Sequence, residues 1–123
     1  MYKLKSHKNL TPERWKNFSL AQQILMIANE INRAKNCLHK GYVNEAKNSY
    51  ERAFELLDLT ISTTEKYNLI RELLRFREIL ALQYIKRKKE KRISEKLLST
   101  LISLNGEAYR LLNQETHQTH KAL

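Results

Sequence analysis

Apolar residues return every three or four positions through most of this chain, and the rhythm breaks only at a few polar or glycine-bearing points. The first stripe reads Leu20, Ile24, Ile27, Ala28, Ile31, Ala34 and Leu38, widened by Leu25 and Met26. A second, over about 43–61, reads Ala46, Tyr50, Ala53, Phe54, Leu57 and Ile61. A third begins after Thr64 with Leu69, Ile70, Leu73, Leu74, Phe76, Ile79 and Leu80. The fourth, over about 94–115, reads Leu97, Leu101, Leu104, Ala108 and Leu111, with Leu98 and Leu112 beside them. A 3.6-residue period predicts four amphipathic helices. The expected fold class is all-α: an antiparallel up-down four-helix bundle over 19–115, preceded by a basic N-terminal arm with a short helical turn over 1–18 and followed by a polar tail at 116–123.

Local signals place the ends of these helices. Thr11, Pro12 and Glu13 supply a cap, a helix-starting proline and an early acid, the marks of a short turn that folds Trp15 and Phe18 over the core as a lid. Ser19 and Gln22 form a capping box. Gly41 is placed to end the first long helix in a left-handed conformation. Ser62 to Glu65 is the break before the third helix, with Thr63 or Thr64 as its cap, and so short a link makes the second and third helices antiparallel neighbours. The acids Glu45, Glu51, Glu55 and Asp58 lie on the other side of the second helix and read as a solvated row. Gly106 falls inside the expected fourth helix, at a cost of about 1 kcal/mol relative to Ala.

Charge changes this picture more than composition does. The chain has 123 residues, one domain by length, with 41% hydrophobic and 29% charged residues. Its formal net charge is +10, and the cations gather toward the two ends of the sequence: eight Lys/Arg against two Glu over 1–40, six against seven acids over 41–80, and nine against four over 81–123. The densest run is Lys86, Arg87, Lys88, Lys89, Glu90, Lys91 and Arg92. Like-charge repulsion there, with Ser94 available as a new cap, favours a turn between the third and fourth helices over one long rod. Such cations neutralise phosphates without reading sequence, which points to a nucleic-acid partner ahead of a membrane surface. Tyr84, just before the run, offers a ring for stacking on an unpaired base.

Catalytic chemistry has no foothold in the sequence. Two glycines cannot build a phosphate loop, and no Ser/His/Asp set can be nominated. Cys37 and His39 fall on different faces of a helix, and His117 and His120 lack a third ligand. Neither a cofactor nor a metal is expected, and the protein reads as a non-enzyme. Glu30, with Glu72 or Glu78, suits pairing with interior arginines. The lone Cys37 fits a reducing compartment, no run of about 18 apolar residues would span a membrane, and the basic N-terminus lacks the apolar stretch of a signal peptide. The expectation is a cytoplasmic protein.

Three stretches carry a family resemblance: Ser19-Leu20-Ala21-Gln22-Gln23, Tyr50-Glu51-Arg52-Ala53-Phe54-Glu55-Leu56-Leu57-Asp58-Leu59-Thr60-Ile61 and Ile70-Arg71-Glu72-Leu73-Leu74-Arg75-Phe76-Arg77-Glu78. Together they resemble the small bacterial four-helix-bundle proteins known as accessory variability determinants of diversity-generating retroelements, over about residues 11–85. That resemblance implies a homo-oligomeric barrel of bundles, most often a pentamer, that binds a reverse transcriptase and template RNA during error-prone cDNA synthesis without catalysing it. It implies nucleic-acid contact by surface arginines in the matching stretch, where Arg71, Arg75 and Arg77 fall. Lys86, Arg87, Lys88, Lys89, Lys91 and Arg92 lie just past the matched region and enter on charge alone. RNA is the expected partner ahead of DNA. The same helix pattern is similar to a bundle family encoded by insertions within large ribosomal RNA genes. A protein-interaction bundle, whose charge serves only solubility, is the competing class.

Overall fold

A computed structural model describes residues 10–85 and 91–106, with side chains described outside 91–95. Among these residues the chain is all helical, with five helices packed on one another: α1 (Pro12–Lys16), α2 (Leu20–His39), α3 (Val43–Thr63), α4 (Tyr67–Ile85) and α5 (Lys91–Ser103). None of them is long and apolar enough to cross a membrane.

The helix starts follow from local chemistry. Thr11 accepts a hydrogen bond from the Arg14 amide at 3.2 Å ahead of Pro12. Ser19 and Gln22 make both bonds of the capping box, at 3.1 and 2.9 Å. α2 ends where Gly41 takes φ +81°, letting the Tyr42 amide reach back to the Cys37 carbonyl at 2.8 Å and the Gly41 amide to Leu38 at 3.1 Å.

Three boundaries differ from the sequence reading. One is the start of α5, which lies at Lys91 within the basic run, so that Ser94 falls inside the helix and does not cap it. Thr63 and Thr64 close α3 instead of opening α4. Their hydroxyls donate backward to the Leu59 and Thr60 carbonyls at 2.9 and 2.6 Å, so they satisfy the last turn of the helix behind them. α4 starts later, with the Ile70 amide bonded to the Lys66 carbonyl. Likewise α5 stops at Ser103, before Gly106, its last turn tightening into Leu104–Leu101 and Asn105–Ile102 bonds. Residues 107–115 of the expected fourth helix and the tail at 116–123 lie outside the described residues.

The core is built where these helices face one another. α2 packs most extensively on α3 and next on α5, while α4 lies against α3 and α5. Ile24, Ile27, Ile31, Tyr50, Leu57, Leu73, Phe76, Leu80 and Leu101 are buried at the centre. Trp15 closes one end. Fully buried, it donates its indole N–H to Thr60 Oγ1 at 3.0 Å, and Gln23 reaches under it to hold the Trp15 and Phe18 carbonyls. The lid reading of Trp15 is therefore what the fold displays, and its position fixes α1 beside the end of α3.

The row of acids on α3 is not a solvated face. Glu55 is buried, Asp58 holds Arg77 of α4, and Glu51 accepts from Tyr84 of α4; of the four, only Glu45 is exposed. The carboxylates face the neighbouring helix because α4 brings donors to them.

Candidate nucleic-acid interface

The arginines of α4 divide into two kinds. Arg77 grips Asp58 with two nitrogens, Nε to Oδ1 at 2.6 Å and Nη2 to Oδ2 at 3.3 Å, and its guanidinium lies 5.3 Å from the centre of the Phe54 ring. A forked, ring-stacked arginine of this kind joins α3 to α4. Arg71 and Arg75 are exposed on the opposite side of α4 and make no ion pair or hydrogen bond among the described residues. Helical spacing of four puts them on one face. Of the three arginines in the stretch that carries the resemblance, two are thus open to a phosphate.

The basic run continues that face only in sequence. Lys86, Arg87, Lys88 and Lys89 lie outside the described residues, and Lys91 and Arg92 open α5 with side chains not described. α4 and α5 pack on each other. The far end of α5, at Leu104 and Asn105, shares a depression with Tyr67 and Leu69 at the start of α4. A single continuous rod would keep those ends apart. α4 and α5 thus fold back on each other, Lys91 and Arg92 already belong to α5, and the rest of the expected turn, 86–90, lies outside the described residues.

The N-terminal cations sit elsewhere. α1 is held at the Thr60 end of α3 through Trp15. Tyr84, two residues before the run, is held near the middle of α3 through Glu51, nine residues before Thr60. The basic arm of residues 1–9 lies outside the described residues.

Tyr84 is not a platform for a base. Its ring stands edge-on to Tyr50 (6.1 Å between centres, 80°) and to Phe54 (5.7 Å, 87°), and its hydroxyl donates to Glu51 Oε1 at 3.1 Å. The half-buried ring is thus committed to α3 through two edge contacts and its hydroxyl. Burial pushes its pKa above the ordinary 10, and the Glu51 hydrogen bond and charge push it the same way. Because the folded-state pKa lies above the unfolded one, the stabilisation is intact below pH ~10 and is lost as pH rises through the folded value. A phenolate that appears above the ordinary tyrosine range in an alkaline absorbance titration is expected to vanish in Tyr84→Phe. That variant is also expected to lose less stability than wild type when both are unfolded at rising pH above 10.

Other chemical groups staple helices. Glu30, buried on α2, accepts from Arg52 Nε of α3 at 2.9 Å and from Arg33 at 3.1 Å, while Arg52 also holds Ser49 Oγ at 2.9 Å. Glu72 and Glu78, expected to pair with interior arginines, are exposed and form no such pair among the described residues. Cys37 is half-buried and unbridged. No cluster of three His, Cys, Asp or Glu converges among the described residues.

One further property marks the α4 surface. Of eight large apolar side chains exposed among the described residues, five belong to this helix: Tyr67, Leu74, Ile79, Leu82 and Ile85. Arg71 and Arg75 therefore rise from an apolar stripe. The sequence pattern did contain this signal, since the third stripe is wider than one core needs. No family model, characterised protein or solved structure matches this chain.

Proposed function

We propose that this protein is a non-enzymatic, self-associating accessory protein, an antiparallel up-down bundle of α2 to α5 that offers a cationic surface to RNA. The observation that carries the reading is the sorting of arginines. Arg52 and Arg77 are used up in interhelical pairs, whereas Arg71 and Arg75 are exposed without partners on the helix that leads into Lys86, Arg87, Lys88, Lys89, Lys91 and Arg92. Placing unpaired cations on one helix and its continuation has an electrostatic cost that a polyanion relieves. The bundle reading draws on the meeting of the α4 start with the α5 end, and of the α2 start with the α3 end.

The biological setting comes from the resemblance described above. It makes template RNA the ligand and a reverse transcriptase the protein partner, in the cytoplasm of a cell carrying a diversity-generating retroelement. The motif stretches behind that resemblance supply core residues such as Leu57, Leu73 and Phe76, so they support the bundle most directly and the partners through it.

Anisotropy of labelled RNA and DNA over a salt series tests the reading. Wild type should bind RNA with an affinity that falls steeply with salt, about −4 in log–log slope if some six phosphates of a single strand are neutralised. Gln at Lys86, Arg87, Lys88, Lys89, Lys91 and Arg92 should abolish most of that slope, and Arg71→Gln with Arg75→Gln should reduce it further. Absence of binding at low salt would discard the nucleic-acid role. A second reading, a bundle that binds proteins only, is favoured by the apolar stripe on α4, and it requires partner binding to survive all of these substitutions.

A further inference from the structure

An RNA contact made by Arg71 and Arg75 accounts for the cations of the α4 outer face but not for its apolar residues. Tyr67, Leu82 and Ile85 expose 71%, 58% and 70% of their surface, more than half in each case, and Leu74 sits between them at 48%. The other exposed large apolar residues, Phe18, Tyr42 and Val43, are scattered at the helix ends. On α4 the spacing of 67, 71, 74, 78, 82 and 85 alternates threes and fours, so these positions form one stripe. It runs the whole of α4, 19 residues, about 27 Å from first to last at 1.5 Å per residue.

The order of charges along that stripe selects the occupant. From the start it reads Tyr67, Arg71, Leu74, Arg75, Glu78, Leu82, Ile85, and the cations and the anion fall on opposite sides of a midpoint beside Phe76. When the stripe is laid antiparallel on a copy of itself about that midpoint, Tyr67 comes opposite Ile85, Leu74 near Ile79, and Arg75 within reach of Glu78. Arg75 and Glu78, each without an ion pair among the described residues of the single chain, then meet across the axis, twice over by symmetry, while Arg71 falls opposite Ala81 and keeps its charge free. Laid parallel, the stripe would set Arg71 and Arg75 against their own copies.

We propose that the outer face of α4 docks on the same face of a second copy of this chain, the two helices antiparallel about a two-fold axis, with Arg75 paired to Glu78 of the other copy. The inference rests on the self-association in the reading above; of the cations offered there to RNA, it takes away Arg75 alone. The contact is isologous and closes at two chains, whereas a ring of five needs heterologous contacts. It also removes Arg75 from phosphate contact in the paired form and sets the two Ile85 termini of α4 at opposite ends of the paired helices.

Mass measurement by light scattering on the full chain, without RNA, decides the matter. Wild type should show twice the 14.7 kDa of one chain. R75E and E78R should each weaken association by about 10–100-fold, since each replaces two attractions by two repulsions. An equimolar mixture of R75E with E78R should regain the paired mass, because its mixed pair restores opposite charges at both contacts. The double variant R75E/E78R should regain it alone. Both side chains are exposed and unbonded among the described residues, and unchanged far-ultraviolet circular dichroism verifies the fold. A monomeric wild type, a five-chain particle indifferent to both reversals, or a mixture that stays apart would each overturn the proposal. RNA binding scored separately leaves the outcome for the cationic surface distinct.

Discussion

Trp15→Ala is expected to lower the free energy of unfolding by about 3–5 kcal/mol, the range for deleting a large buried aromatic. The side chain is fully buried between α1 and α3 and lies 5.7 Å from the Phe18 ring. Removing it empties the space under α1 and strips Gln23 of the reason for its position, since Gln23 holds the Trp15 backbone from below. α1 is only five residues long, too short to be stable without this anchor. A small domain has about 5–15 kcal/mol in all, so the loss is a large share of its stability. Trp15→Phe keeps most of the volume and loses the indole bond to Thr60. It should cost about 1–2 kcal/mol, because Thr60 Oγ1 still donates to the Leu56 carbonyl. Urea unfolding followed by far-ultraviolet circular dichroism measures both, since the substitutions remove the only tryptophan. Equal losses for the two variants would mean the hydrogen bond, not the volume, fastens the lid.

Signals that act within a few residues were legible in the sequence. The Ser19 box, the Thr11–Pro12 start and the Gly41 stop depend on the chain's nearest neighbours, and each forms as its residue types require. The row of α3 acids was not legible. A period of 3.6 says which residues share a face, but not whether that face meets water or another helix; Glu51 and Asp58 turn toward α4 because Tyr84 and Arg77 wait there, and Glu55 between them is buried. The same ignorance of cross-helix partners made Tyr84 read as a base-stacking ring. At Thr63 and Thr64 a hydroxyl can cap the helix ahead or close the helix behind, and composition does not choose between them. Arg71, Arg75 and Arg77 looked alike in sequence; Asp58, 19 residues away, is what separates the third from the other two.

The Glu30–Arg52 pair should respond unequally to loss of its two members. Glu30 keeps only 10% of its side-chain surface, whereas Arg52 keeps 30%. Arg52→Leu leaves a nearly enclosed carboxylate whose remaining partner, Arg33, is 66% exposed and heavily screened. The expected loss is about 2–3 kcal/mol, the scale of a charged group deprived of its buried hydrogen bond. Glu30→Leu instead removes the group that suffers most from burial. Arg52 can swing its tip toward water while still bonding Ser49, so the expected loss is below about 1 kcal/mol. With both replaced, the apolar pair should stand close to wild type, and the two single losses should fail to add. Urea unfolding of the four proteins, with slopes compared to verify two-state behaviour, measures the cycle. The opposite order, with Glu30→Leu the costlier, would mean that Arg52 cannot reach solvent and that α2 and α3 are held together by the carboxylate itself.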